Sequence, residues 1–143
     1  MTVPRDVLMA KVREWAMLAE EDLRAAEHLL TLADRCPFRL VAYHSQQCAE
    51  KYLKAFLVLH GVDFPYTHNI ARLLELCADR AAWTDDLKDA EELTPFAIAA
   101  RYPGEDDPVT ESEARRAVEI ARRVRELLRK VLAADGAAPE PLE

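Results

Sequence analysis

The run Gln46-Gln47-Cys48-Ala49-Glu50-Lys51-Tyr52-Leu53-Lys54-Ala55 concentrates amides and opposite charges in one short stretch. At 3.6 residues per turn, Gln47, Glu50, Lys51 and Lys54 fall within about one third of a helix circumference. Two chemistries follow from that strip. Glu50 and Lys54 stand four apart in the order that favours a helical ion pair, worth about 0.2 to 0.5 kcal/mol if exposed. Alternatively, Gln47, Lys51 and Lys54 line a groove in which amides recognise polar edges and lysines meet phosphate. Exposure decides between the two.

A short loop later comes Thr67-His68-Asn69-Ile70, in which His68 follows the residue expected to cap the third helix. Its expected partners are the end of the second helix or the carboxylate of Asp22, with ligand contact or proton transfer as the alternative. Arg101-Tyr102-Pro103 marks a helix terminus, where an arginine satisfies exposed carbonyls and complements the helix dipole. Carried beside Lys51 or Lys54, Arg101 would instead clamp a phosphate bidentately while Tyr102 stacks or donates through its hydroxyl. Metal-free RNA cleavage would further require a general acid and base at the reacting 2′-OH. His44 is expected as a packed ring, and His28 and His60 are given no special role.

Several site classes are excluded by pattern. There is no HExxH pair, Gly-rich phosphate loop or nucleophile elbow. Cys36, Cys48 and Cys77 lack CxxC spacing, so neither a zinc site nor a disulfide framework is expected. No cofactor is expected. The N-terminus lacks a secretory apolar segment and no long apolar run occurs, which points to a cytoplasmic chain without membrane partners.

The formal net charge of -7 disfavours non-specific nucleic-acid binding. Its distribution is uneven. Acidic residues dominate from Asp79 to Glu113, whereas Arg115, Arg116, Arg122, Arg123, Arg125, Arg129 and Lys130 load the last helical segment. That basic strip could hold RNA, a nucleotide or an acidic partner, or be an ordinary solvated face.

The elements that must position these residues are all helical. Hydrophobic residues make up 50% of the 143, and the three glycines, Gly61, Gly104 and Gly136, fall at expected helix ends or turns. The first helix is expected from about Pro4 to Asp34, with Leu8, Val12, Trp15, Ala19, Leu23, Ala26, Leu30 and Ala33 as its apolar stripe. Asp22 lies beside this stripe and needs a partner if buried. The second runs from Pro37 to near His60-Gly61, with Val41, Cys48, Tyr52, Ala55 and Leu59 facing a core. Thr67 is the expected cap of the third, and Thr84 that of a fourth from about Asp85 to Arg101, bent at Thr94-Pro95. Thr110 and Glu113 form a capping box for the fifth. Long helices with short connections fit an antiparallel bundle of about five helices, a single domain over 1–134 with a flexible tail over 135–143. Apolar residues such as Trp15, Leu23, Leu30, Phe56 and Leu57 are read either as exceeding what one bundle core requires, which would give a homodimer, or as ordinary packing within it.

Taken in order, Trp15-Ala16 with Ala19-Glu20-Glu21-Asp22-Leu23, the Gln46 to Ala55 run, Thr67-His68-Asn69-Ile70 and Arg101-Tyr102-Pro103 resemble the HEPN family of small helical proteins. The resemblance spans about Asp6 to Leu132. It implies a bundle of about five helices, frequently dimeric and often encoded beside a minimal nucleotidyltransferase in a toxin-antitoxin or nucleotide-linked pair. Some members are metal-independent ribonucleases with a late RX4-6H motif. Carried to this chain, the arginine of that motif is Arg101, but the histidine positions hold Asp106, Asp107 and Pro108. A literal RX4H string, Arg39 to His44, lies too early in the chain and is attributed to chance.

The leading expectation is a dimeric HEPN-type binding component that pairs with a nucleotidyltransferase-like protein or holds a nucleotide or RNA. Its ligand-binding residues would be Gln47, Glu50, Lys51, Lys54, His68, Arg101 and Tyr102. The alternatives are a ribonuclease using Arg101 with Asp106 or another non-histidine acid/base, and a purely structural oligomerisation module.

Overall fold

A computed structural model describes residues 3–98 and 108–137. The chain is an all-α bundle built from α1 (Arg5–Leu29), α2 (Phe38–Leu59), α3 (Ile70–Ala78), a 3-10 segment (Ala82–Ala97) and α4 (Glu111–Ala134). The central element is α2, which touches α1, α3, the 3-10 segment and α4. Its core-facing positions are as the sequence periodicity requires: Val41, Cys48, Tyr52 and Ala55 are buried, and Leu59 is half-buried. Because α2 is surrounded, its other faces are buried as well, including Gln46, Gln47, Glu50 and Lys54.

Helix α1 stops five residues before the expected end at Asp34. Thr31 and Leu32 bond back three residues to His28 and Leu29, Arg35 takes a left-handed φ of 52°, and Pro37 opens α2. Residues 31–35 are exposed, so no apolar burial rewards a further turn. Both α2 and α4 end in the same Schellman geometry. Gly61 (φ 66°) lets Val62 N–H reach the Leu57 carbonyl at 2.9 Å, and Gly136 (φ 93°) lets Ala137 N–H reach that of Leu132 at 2.8 Å. The two caps meet, since His60 Nε2 lies 2.9 Å from Asp135 Oδ2. The C-terminal ends of α2 and α4 therefore share one end of the bundle. Of the segment expected as a tail, 135–137 form this cap, and 138–143 lie outside the described residues.

Two expected caps are replaced. Asn69, rather than Thr67, caps α3 by accepting from Arg72 N–H at 3.2 Å, while Thr67 Oγ1 accepts from Asn69 N–H. A second free donor of α3, Ile70 N–H, bonds Thr94 Oγ1 at 3.1 Å, so the 3-10 segment caps the helix across the bundle. For the segment itself the sequence predicts an α-helix from Asp85, capped by Thr84 and bent at Pro95. It begins instead at Ala82 without a side-chain cap, and its irregular residue is Leu87 (φ -110°, ψ 16°). Its buried residues, Leu87, Ala90 and Leu93, recur every three positions. That is the repeat of a 3-10 helix, not of an α-helix. The expected capping box at α4 is present, with Glu113 N–H to Thr110 Oγ1 at 3.1 Å and Thr110 N–H to Glu113 Oε1 at 3.0 Å.

The apolar residues expected to exceed one core are largely consumed by it: Leu23, Phe56 and Leu57 are buried, and Trp15 and Leu30 are half-buried. Among the described residues, the large apolar side chains left outside are Val3, Val7, Met17, Leu32, Tyr66 and Ile98. No helix among the described residues is long and apolar enough to cross a membrane. Gly61 has open space around the position of a Cβ, so only its backbone conformation resists substitution. Gly61→Ala is expected to lower unfolding free energy by about 1 kcal/mol, measured by urea denaturation.

Candidate functional site

Three largely buried carboxylates organise the polar chemistry of the bundle. The first is Glu50 on α2, only 3% exposed. Its Oε1 accepts from Gln46 Nε2 at 3.1 Å and from His68 Nδ1 at 2.8 Å, and its Oε2 accepts from Lys54 Nζ at 2.9 Å. Gln46 also donates to the His68 carbonyl at 3.1 Å and accepts from Gln47 Nε2 at 2.7 Å. Lys54 lies 5.6 Å from the Trp15 ring centroid and 5.7 Å from that of Phe64, which shields its ammonium with aromatic faces. Burial pushes the Glu50 carboxyl up, but the hydrogen bonds from Gln46, Lys54 and His68 outweigh it and hold the group below the ordinary value of 4.5.

The second carboxylate is Asp22 on α1. Its Oδ1 meets His44 Nδ1 at 2.8 Å and its Oδ2 accepts from Lys51 Nζ at 2.6 Å. The partner expected for a buried Asp22 is thus present, but it is His44 with Lys51. His68, the expected candidate, is committed to Glu50. The sequence basis for this pairing is that His44 and Lys51 are seven residues apart, two turns along one face of α2.

The third is Glu20, to which the sequence pattern assigns no role. It is buried, and its Oε1 accepts from the Tyr52 hydroxyl, from Arg125 Nε at 2.6 Å and from Arg129 Nη1 at 3.5 Å. Its place in the stripe Ala16, Glu20, Leu23 was the available signal, since a carboxylate at a core position requires cationic partners. Burial and the Glu20 carboxylate drive the Tyr52 hydroxyl far above its ordinary value. Burial likewise raises the Cys48 thiol, with Glu20 and Asp22 adding to the effect, and pushes Cys77 up to about 12. Neither thiol is poised as a nucleophile.

The polar strip on α2 is therefore mostly internal. Glu50 and Lys54 neutralise each other, Gln47 is 8% exposed, and these three point into the bundle instead of lining an open groove. Lys51, with 22% of its side chain exposed, and His68, with 40%, reach the surface. Arg101, Tyr102 and Asp106 lie outside the described residues.

The basic strip of α4 is also spoken for. Arg116 makes a bidentate pair with Glu92 at 2.9 and 2.7 Å, Arg122 bonds Glu27 at 2.7 Å, and Arg123 meets Asp89. Arg115 and Lys130 pair with Glu111 and Glu126 one turn earlier, and Arg125 and Arg129 serve Glu20. Each cation of the strip thus has an acidic neighbour, which removes the local field expected to attract phosphate. Glu92 is held below its usual range chiefly by the Arg116 hydrogen bonds, and Arg116 is raised in turn. Among the described residues, no group of three or more His, Cys, Asp and Glu side chains could hold a metal ion.

With this geometry in place, the relatives are informative. The family model for the HEPN domain matches residues 12–131. This chain belongs to the HEPN domain family. Two solved structures are similar to it. The crystal structure of ST0689, described as an archaeal HEPN homologue, is 27% identical with a TM-score of 0.66 and covers 85% of this chain and 98% of its own. That of TT1696 from Thermus thermophilus is 27% identical with a TM-score of 0.67, covering 84% and 97%. No curated protein matches the sequence. The HEPN match spans all three carboxylate clusters and all four α-helices in part or whole.

The Glu50 cluster yields a stability prediction. Glu50→Ala leaves the Lys54 ammonium buried without its partner, a loss of about 3 to 5 kcal/mol for a pair of this type, read by chemical denaturation at neutral pH. The sign of its pH dependence follows from the depressed folded value. The contribution of the Glu50 charge is complete above 4.5 and lost as pH falls through the folded value, so the gap between wild type and Glu50→Gln should narrow below 4.5.

Proposed function

We propose that this HEPN-domain chain is a nucleotide- or RNA-associated binding component, working as a homodimer beside a nucleotidyltransferase-like partner in a toxin-antitoxin-like pair in the cytoplasm. The observation that carries the reading is the arrangement beside α2: Lys51 on the helix and His68 in the loop before α3 reach solvent while buried carboxylates fix their heads. Polar groups held in place at a surface bind a phosphate-bearing ligand without ordering flexible side chains first, which lowers the entropic cost of association. Arg101 and Tyr102 complete the proposed ligand set, whereas Glu50, Lys54 and Gln47 support it from inside. Ion pairing along α4 favours the α2 side over a general basic surface.

Homodimerisation is supported by the N-terminal part of the chain, where Val7 and Met17 on α1 and Val3 just before it are exposed large apolar side chains. Light scattering should give a dimer, and Met17→Glu should shift it toward monomer without loss of helical circular dichroism. A wild-type monomer at high micromolar concentration would count against this element of the proposal.

The alternative, a ribonuclease with Arg101 stabilising the transferring phosphate and Asp106 as acid/base, is separated by one experiment. A mixed single-stranded RNA pool is incubated with wild type and with Arg101→Ala, both in excess EDTA. Intact but bound RNA is the expected outcome, with Lys51→Ala weakening binding about fivefold to tenfold. Cleavage by wild type alone would replace binding with catalysis as the function.

A further inference from the structure

The Glu50 network reaches solvent only through His68 and keeps its cation inside, whereas the Asp22 network exposes both its imidazole and its cation. Lys54 is 5% exposed and sits under two aromatic rings, so it has no route to a ligand. His44 and Lys51, in contrast, keep 29% and 22% of their side chains in solvent around an Asp22 side chain that is 11% exposed. Two long side chains from α2 thus converge on a carboxylate from α1 at the surface.

The chemistry of each head is fixed by this contact. A carboxylate oxygen only accepts, so His44 Nδ1 carries the proton toward Asp22, and in the neutral ring Nε2 is an acceptor. Nε2 makes no hydrogen bond among the described residues. The Tyr43 ring lies edge-on to the imidazole with centroids 5.2 Å apart, limiting its rotation. Lys51 Nζ has three N–H donors and gives one to Asp22, leaving two for an anion. An acceptor that wants a hydroxyl therefore stands beside a cation that wants phosphate oxygens. Asp22 offsets one positive charge and holds both groups in place.

We propose that Asp22, His44 and Lys51 form a binding site for a hydroxylated phosphate ester, the ribose-phosphate unit of a nucleotide or RNA. Phosphate oxygens accept from Lys51 Nζ and a sugar hydroxyl donates to His44 Nε2. Asp22 is the positioning residue. The assignment rests on the nucleotide- or RNA-associated reading above and adds His44 and Asp22 to it.

The test is a side-chain NMR titration of the intact chain with ribose 5-phosphate, 2-deoxyribose 5-phosphate and inorganic phosphate. Ribose 5-phosphate is expected to move the His44 imidazole and Lys51 signals saturably. Lys51→Met should abolish the effect, while Lys130→Met, at an exposed lysine on α4, leaves it intact. His44→Ala should lower affinity about three- to tenfold, the range for one hydrogen bond, and erase any preference for ribose over deoxyribose. The wild-type signals report the site even if a variant fails to fold. Absence of saturable shifts at His44 and Lys51, or shifts centred on the α4 arginines, overturns the proposal. An RNA oligomer that binds without moving these two residues removes this site but keeps the broader reading. Sugar-phosphate binding here with no oligomer bound does the reverse.

Discussion

The polar chemistry inside this bundle starts from the burial of α2 on nearly every side. A surrounded helix cannot send its polar side chains to water, and each buried charge must meet a partner or become neutral. Glu50 resolves this by collecting a lysine, an amide and an imidazole at once. The same contacts tie the loop before α3 to α2, because His68 is bound through both its ring and its carbonyl. Every buried side-chain polar atom among the described residues finds a partner. A polar network that is complete adds specificity to the packing, because alternative packings would leave some of these groups unpaired.

The same economy of charge operates around α4. Glu20 anchors the helix from below through Arg125 and Arg129, and Glu27, Asp89 and Glu92 hold its flanks through Arg122, Arg123 and Arg116. Exposed pairs of this kind contribute little each, typically under about 1 kcal/mol. Their larger effect is on the field: a strip that looks basic along the sequence is close to neutral in space. Acidic residues distant in sequence supply the missing sign.

Much of the fold is legible in the sequence because it rests on local rules. Thr110 with Glu113 announces α4, Gly61 announces the end of α2, and the α2 stripe identifies its core face. The departures arise where distant contacts override local ones. Thr94 serves α3 from another segment, which no propensity reports, and the burial repeat of three in Leu87, Ala90 and Leu93 passes for an α-helical pattern. At the site, the residue types at 47, 50, 51, 54 and 68 stand out as unusual, but their direction does not. Periodicity places Glu50 and Lys54 on a strip without saying whether water or a neighbouring helix covers it. The Asp22 partner differs from the expected one for a related reason: two histidines compete for two carboxylates, and only tertiary packing sorts them.

The 3-10 segment carries a consequence in shape. Leu87 leaves helical geometry inside it, so the chain between Ala82 and Ala97 is two short helical stretches joined at a kink and not one straight rod. The bend lies in a segment that touches α2, α3 and α4 together. It folds over the helices like a jointed strap, and Leu87, Ala90 and Leu93 are the side chains that it presses into the core.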